Sequence, residues 1–509
     1  MDKSKALGTE PVFRLLMYYT VPAVIGMLVQ VTYSIVDGIF VGKFVGPDGL
    51  AAVTLVFPIS VLGPACGMLV GAGSCAVISM LLGQRRIAEA ERVLGTAIFL
   101  MIGFFSLLAV GIFLFGHHLL GREGVTPDVT RMAADYMVIT MAFAVLPGIV
   151  YGLNNVIRVQ GNPHVAMATL LVGAILNTIL DPLFIYVFDW GVRGAAWATV
   201  VSQAVAGIWV ILFLLSKKSL LKLRLSNIRF RMEIAKPVLK IGLAPFLIQL
   251  AACFQGILLV SQLAKYGGDF GSVHGSDVAV SVWGISFRVG MVVFLVVVGI
   301  YQGMQPIIGY NYGAGQFSRV KAVTLQGILI AVVWCSSCAM LLQLFPNHVV
   351  RIFTKSTQAA ESILVEEMAD AGVYSAGSAR PENTAEIEKS RLLKEKAPFA
   401  LRVSLMMMPL IGFQVLAAHY FQAVGKPALS ILLSLSRQVF ILIPSIWFFP
   451  IFWGINGIWY AFAFSDGLSA CICGLFLRRE LRHLDRLAAG TENAPFLAEL
   501  PVTVEADYF

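Results

Sequence analysis

The feature that most constrains this chain is a series of twelve apolar stretches, each long enough to cross a lipid bilayer. A helix needs about 20 apolar residues to span the hydrocarbon core, and a soluble domain cannot bury twelve such segments. The composition agrees, since 58% of the 509 residues are hydrophobic and 13% are charged. The sequence therefore predicts an all-α integral membrane protein. The stretches lie at 13–41, 50–82, 93–115, 132–156, 165–188, 194–215, 238–263, 278–310, 322–345, 400–424, 428–450 and 455–477.

Short motifs recur in the two halves of the chain. RVQGNP (158–163) follows the fourth stretch and QAVGKP (422–427) follows the tenth. DWGVRGAAWA (189–198) precedes the sixth stretch and FWGINGIWYA (452–461) precedes the twelfth. Because each half has six spans, an even number, both halves have the same orientation in the membrane. They then form a parallel repeat about an axis along the membrane normal. We therefore predict two parallel six-helix lobes around a central cleft.

The repeat also locates an insertion. Gly83 and Gly161 are 78 residues apart. The equivalent Gly313 and Gly425 are 112 residues apart, and charge is concentrated near 354–398. We predict an extracytoplasmic insertion there, as a capping element or, in the favoured reading, a flexible solvated loop. The predicted units are an N-terminal lobe (1–215), a cytoplasmic amphipathic linker (216–240), a C-terminal lobe (241–477) and a cytoplasmic tail (478–509).

Loop charges predict the orientation. With both termini in the cytoplasm, most loop Lys and Arg residues fall on one side, including Arg85, Arg158, Arg319, Lys426 and the cluster within 217–240. This is the asymmetry of the positive-inside rule. The net charge of +8 then indicates attraction to anionic lipid at the inner face rather than to nucleic acid.

Two acids inside spans are the strongest functional signal. Asp37 lies in the first span and Asp181 in the fifth, each without a nearby Lys or Arg in the sequence. An acid at mid-bilayer costs about 3 kcal/mol, so such residues are seldom kept for packing. Asn177 is four residues before Asp181 and hence on the same helix face. Oxygen ligands of this kind suit a hard cation or a proton, with Asn154 and Thr199 as further candidates. The simpler alternative is that these residues cap helices or join neighbouring helices.

Longer segments resemble a known family. LGTEPVFRLLMYYTVPAVIGMLVQVTYSIVDGIFVG (7–42), the GNP loop and ILDPLFIY (179–186) are similar to multidrug and toxic compound extrusion (MATE) transporters of the MepA-like and DinF-like branches. The resemblance covers nearly the whole chain except the insertion and the tail. It implies export of small amphipathic, often cationic compounds against H⁺ or Na⁺, from a monomer without cofactor in the bacterial inner membrane. It also implies a cation site at Asp37, Asn154, Asn177, Asp181 and Thr199.

The C-terminal half has a different set of polar residues. NorM-like members of the family place acids in the seventh and tenth helices, where this chain has glutamines such as Gln255. Arg288 and Gln255 are therefore candidates for the substrate cleft. Asp466 is predicted to form a structural ion pair with Arg288 or Arg437. Pro22 and Pro245 are predicted hinges, because proline removes a backbone hydrogen-bond donor from a helix.

Two other functions remain open at this stage. A flippase for lipid-linked sugars would need a basic cleft, which Arg288, Arg437 and His419 would supply. A membrane enzyme or receptor is the alternative from another class. No convergent nucleophile, base or metal cluster is visible in the sequence, so we expect no enzymatic activity.

Overall fold

The computed structural model describes residues 5–120, 126–351 and 382–491, and these ranges are helical without any strand. Twelve spans, labelled α1 to α12 in chain order, confirm the predicted fold class. Their bounds are α1 Val12–Phe44, α2 Pro47–Gly83, α3 Ile87–Leu120, α4 Pro127–Ala142 with Val145–Val159, α5 Pro163–Val187, α6 Gly191–Leu215, α7 Met232–Tyr266, α8 Gly275–Gly313, α9 Phe317–Leu344, α10 Glu382–Ser404 with Met408–Ala423, α11 Pro427–Trp453 and α12 Ile455–Ala488.

The two lobes repeat the same irregularities. The fourth span of each lobe is broken, with a bend of 48° in α4 and 44° in α10. After each broken span the chain turns through a glycine in the left-handed region, Gly161 (φ 89°) or Gly425 (φ 75°). Each next helix then has proline at its first position, where the missing N–H costs nothing. The GNP and GKP motifs are thus equivalent turns in a duplicated lobe.

The segment between the lobes is attached to the end of the N-terminal lobe where α4 turns into α5. Gln160 accepts hydrogen bonds from the Ser219 hydroxyl (2.8 Å) and the Leu221 amide (3.0 Å). Glu91 accepts one from the Lys222 amide (3.0 Å). Helix α7 begins at Met232, so the last part of the predicted linker is already helical.

Part of the predicted insertion is a helical extension of α10. The helix begins at Glu382, and residues 352–381 lie outside the described ranges. Its outer end contacts the chain before and within α8, where the Ser272 hydroxyl donates to Glu388 (2.8 Å) and Lys389 pairs with Asp277 (2.8 Å). The expectation of a flexible loop is therefore wrong for this helical part, because polar contacts hold it against the C-terminal lobe.

The lobes approach most closely at one end of the molecule, where glycines let backbones touch. A Cβ atom on Gly242 of α7 would lie 1.6 Å from the Leu69 carbonyl oxygen of α2. A Cβ atom on Gly313 of α8 would lie 2.1 Å from the Met80 oxygen, also in α2. Gly313 ends α8 and Met80 lies in the last turn of α2, whereas Gly242 and Leu69 lie deeper, in the first half of α7 and the second half of α2. The molecule is therefore closed at the end where α1 begins.

The N-terminal segment is fastened to the C-terminal lobe at this same closed end. Leu7 is fully buried, and its carbonyl oxygen accepts hydrogen bonds from Asn311 (2.9 Å) and Arg319 (3.3 Å). Arg319 also donates to the Glu10 carbonyl oxygen (2.7 Å) and to the Asn311 side chain (3.0 Å). We call this set of contacts the N-terminal clasp.

Both predicted hinge prolines lie inside continuous helices. Helix α1 runs through Pro22, and α7 runs through Pro245. Neither is broken by the sharp bends seen in α4 and α10. A hinge role for the two prolines stays a prediction, since it concerns a change between conformations.

Replacing Gly242 with valine is expected to open the closed end. The added side chain cannot fit against the Leu69 carbonyl, so α2 and α7 must separate. The measurement is thiol labelling of Cys75, which is 1% exposed, in protein lacking the other six cysteines. Gly256→Val is the matched control, because nothing lies within 4 Å of a Cβ atom there. Equal Cys75 labelling in the two variants would contradict the prediction.

Candidate ion site in the N-terminal lobe

Helices α1 and α5 bring the two predicted acids together. Asp37 lies seven residues before the end of α1, and Asp181 ends the regular part of α5. Their carboxyl groups are within hydrogen-bonding distance of each other. Pro182 follows directly, and α5 continues as a π-helical turn over Leu183–Val187. Because proline lacks an N–H and π-helical turns are wider, the backbone is irregular at the site.

Three oxygen atoms at this acid pair have no hydrogen-bond partner although they are buried. The Asn177 amide donates to one Asp181 oxygen (3.1 Å), as its helical spacing predicted. Asp37 Oδ1, Asn177 Oδ1 and Asp181 Oδ2 are left unpartnered. Each unsatisfied buried acceptor costs about 1–3 kcal/mol. A proton shared between the carboxyl groups would satisfy two of these oxygens, and a metal cation could bind all three.

The electrostatics lead to the same conclusion. In the described ranges, neither Asp37 nor Asp181 forms an ion pair with Lys or Arg. Two touching carboxylates in a medium of low dielectric constant cannot both stay ionised unless a cation joins them. Within the same ranges no cluster of three His, Cys, Asp or Glu side chains occurs, which leaves carboxyl and amide oxygens as the ligands. This donor set suits H⁺ or a hard cation such as Na⁺.

Tyrosines that the sequence analysis missed surround the acid pair. Tyr33, one helical turn before Asp37, shares a hydrogen bond with Tyr151 of α4. Tyr136, in the other half of α4, shares one with Thr199 of α6. Tyr136 and Tyr151 lie on opposite sides of the break in α4. Thr199 therefore belongs to the shell of the site, through Tyr136.

A small pocket lies between α1, α4, α5 and α6. Tyr33, Tyr151, Gln30 and Gln203 are among its lining residues. The Gln30 amide donates to the Tyr151 hydroxyl. The Gln30 and Gln203 side-chain oxygens are buried and unpartnered. Tyr33 thus connects this pocket to the shell of the acid pair, whose own carboxyl groups do not line it.

Comparison with known proteins agrees with this architecture. The MatE family model matches residues 22–183 and 270–367, which together are more than half of the chain. The chain belongs to the MATE family. Its relatives include the multidrug export protein MepA of Staphylococcus aureus (strain NCTC 8325 / PS 47), 24% identical over 486 residues, covering 95% of this chain and 97% of the relative. MepA of Staphylococcus saprophyticus is 26% identical over 481 residues, covering 93% and 96%.

Solved MATE structures share the fold. A MATE transporter in complex with MaL6 superposes with a TM-score of 0.82 at 24% identity, covering 96% of this chain and all of that chain. At this identity the likeness concerns the arrangement of helices. This MATE protein is thus a multi-pass membrane protein of twelve helices, and MATE transporters are not in general enzymes.

One predicted site residue of this MATE protein lies apart from the acid pair. The Asn154 amide donates to the Ala166 carbonyl in the first turn of α5 (3.1 Å). Asp181 comes 15 residues later on the same helix, roughly 22 Å along its axis. The structure therefore does not bring Asn154 to Asp37 and Asp181, although the Asn154 oxygen is also buried and unpartnered.

In the C-terminal lobe, the predicted ion pair of Asp466 is confirmed. Arg437 donates to Asp466 at 2.7 Å, and the Asp466 side chain is 3% exposed. Arg437 lies in a π-helical segment, Ser436–Leu442. Arg288 is exposed on α8 and Gln255 is half-buried on α7, and no contact in the described ranges assigns either to substrate. Their role in the cleft stays a prediction.

Replacing Asp466 with asparagine is expected to destabilise the protein by about 3 kcal/mol, because Arg437, which is 20% exposed, would lose its counter-ion. Thermal unfolding in detergent is the measurement. Asp485→Asn is the matched control, since Asp485 pairs with Lys321 at 2.7 Å on the surface and is worth about 1 kcal/mol or less. Equal melting temperatures for the two variants would show that the buried pair is not structural.

Proposed function

We propose that this protein is a secondary active multidrug exporter that antiports amphipathic, often cationic compounds against H⁺ or Na⁺. The observation that carries the proposal is the pair of Asp37 and Asp181, each of which has one buried oxygen without a hydrogen-bond partner. In the described ranges neither acid forms an ion pair with Lys or Arg. A transporter needs such a site to couple ion entry to drug exit, whereas a purely structural role would leave these oxygens satisfied. The MepA relatives, named as multidrug export proteins, support the substrate class.

The proposed cycle starts from the conformation closed at the N-terminal end. With both termini in the cytoplasm, this is the outward-facing state. A cation from outside binds at Asp37 and Asp181 and neutralises them, which weakens the binding of a cationic drug. The drug leaves outward, α1 bends near Pro22, and ion release to the cytoplasm resets the cleft. By linkage, the ion drives this step only if it binds the drug-free conformation more tightly.

The proposed setting is the bacterial inner membrane, with the protein acting as a monomer without cofactor. The basic residues of the linker and the loops at the closed end would then face anionic lipid headgroups. Exposed apolar side chains in and beside the linker, Leu225, Phe230 and Met232, would enter the interfacial region. Lipid and small-molecule substrates are thus the expected partners.

The flippase alternative is weakened by the contacts of the cations that would support it. Arg437 is neutralised by Asp466, and the His419 ring lies against Tyr301 with ring centroids 4.1 Å apart. Arg288, the third basic residue that would support a flippase, is exposed. A single arginine is a poor site for a pyrophosphate, which favours several donors. Drug export is therefore the proposal we favour.

Drug resistance is the direct test in an efflux-deficient bacterium. Wild-type protein is expected to raise resistance to several cationic compounds, and Asp37→Asn and Asp181→Asn are expected to abolish the gain by removing a coupling charge. Asp48→Asn, an exposed acid at the start of α2, is the matched control and should retain full resistance. Full resistance in both site variants would overturn the coupling proposal. Unchanged sensitivity with well-expressed wild-type protein would favour the flippase.

Transport in proteoliposomes should identify the ion. An imposed Na⁺ gradient or an imposed H⁺ gradient is expected to drive drug movement in the opposite direction. Asp181→Asn should remove this dependence, since it leaves one carboxyl group and no need for a shared cation. The measurement is drug flux under each gradient separately. Drug flux that responds to neither gradient in the wild-type protein would contradict antiport.

A further inference from the structure

One buried cation lacks an acidic partner. Arg158, in the second half of α4, is 4% exposed, and its guanidinium donates to the Asn155 side chain at 2.9 Å. In the described ranges no carboxylate lies within ion-pair distance of it. By contrast, Arg437 is paired with Asp466 and Lys426 with Glu480. An unpaired guanidinium is costly to bury, so its retention calls for a role.

Arg158 lies between the lobes at the closed end. It is within electrostatic range of Cys75 in α2 and of Tyr301 in α8, one from each lobe. It is also far from the ion site, because Asn154, one turn earlier, is already roughly 22 Å from Asp181 along α5. A cation bound at Asp37 and Asp181 therefore does little to neutralise Arg158.

The closed end is polar at this level. The Tyr301 hydroxyl and both amide atoms of Gln422 are buried without hydrogen-bond partners. Gln422 is the repeat equivalent of Arg158, since each lies three residues before its turn glycine, and the His419 ring contacts the Tyr301 ring at a tilt of 44°. Buried polar groups without partners attract water. A hydrated gap between the lobes would conduct protons and small cations.

We propose that Arg158 is an electrostatic barrier that prevents Na⁺ and H⁺ from leaking through the closed end between the lobes. Its fixed positive charge repels any cation entering the polar gap, as arginine does in other selective pores. At an effective dielectric constant of about 20, repulsion at about 5 Å slows cation passage by roughly two orders of magnitude. The biological need for the barrier rests on the proposed function, since leakage would dissipate the gradient that drives export.

The test uses full-length protein in liposomes without drug, loaded with a Na⁺-sensitive or pH-sensitive dye. Arg158→Gln is expected to raise the leak of Na⁺ or H⁺ about 100-fold over wild type. Arg158→Lys keeps the charge and should stay within about twofold. Arg131→Gln, an exposed arginine at the other end of α4, is the matched control and should also stay within about twofold.

Labelling of Cys75 separates a lost barrier from an opened gate. In protein whose only cysteine is Cys75, Arg158→Gln should leave its thiol as unreactive as in the wild type. A leak accompanied by a reactive Cys75 would overturn the proposal, because the lobes would have separated. Wild-type leakage in Arg158→Gln, or equal leakage in Arg158→Lys and Arg158→Gln, would also overturn it. Since no drug is present, these outcomes do not depend on whether Asp37 and Asp181 couple export.

Discussion

Two carboxyl groups held in contact inside a lipid-embedded bundle are the constraint on which the N-terminal lobe depends. An acid in hydrocarbon is already costly, and two together must share a proton or a cation. The surroundings keep them there without neutralising them: Asn177 donates to Asp181, and tyrosines from both halves of α4 form the shell. The bend in α4 and the π-helical turn after Pro182 are the backbone irregularities that make room for this arrangement.

The C-terminal lobe has the same arrangement of helices, but its buried acids are paired with basic residues. Its fourth span bends almost as sharply as α4, and its turn glycine has the same left-handed conformation. Its two buried acids are each paired with a half-buried base in the described ranges, Asp466 with Arg437 and Glu480 with Lys426. Duplication thus gives two lobes of the same plan, and the buried carboxylate oxygens without partners in these ranges lie in the N-terminal lobe. The two lobes can therefore share one helix arrangement although the candidate ion site is present in one of them.

The sequence predicted what lipid and helical spacing impose. The number of spans follows from the hydropathy, and the repeat of the lobes follows from the paired motifs. Asp37 and Asp181 were singled out because acids inside spans are rare, and Asn177 because it lies four residues before Asp181. The sequence did not predict that Asn154 lies away from the acid pair, because membership of a span does not give a residue's depth in the membrane. Asn154 is close to the α4–α5 turn, whereas Asp181 is at the far end of α5. The tyrosines were missed because most aromatic residues in spans face lipid or a neighbouring helix. The sequence analysis assigned Arg158 to a loop, because the predicted fourth span ended at residue 156.

The N-terminal clasp has a consequence for how strain is distributed when the lobes move. The C-terminal lobe holds the start of the chain through Arg319 and Asn311, while Asp37, near the other end of α1, is tied to α5 of the N-terminal lobe. Helix α1 is therefore attached to a different lobe near each of its ends. In the proposed cycle the lobes rotate against each other, so strain would fall on α1 and bend it at Pro22, where proline removes one backbone hydrogen bond.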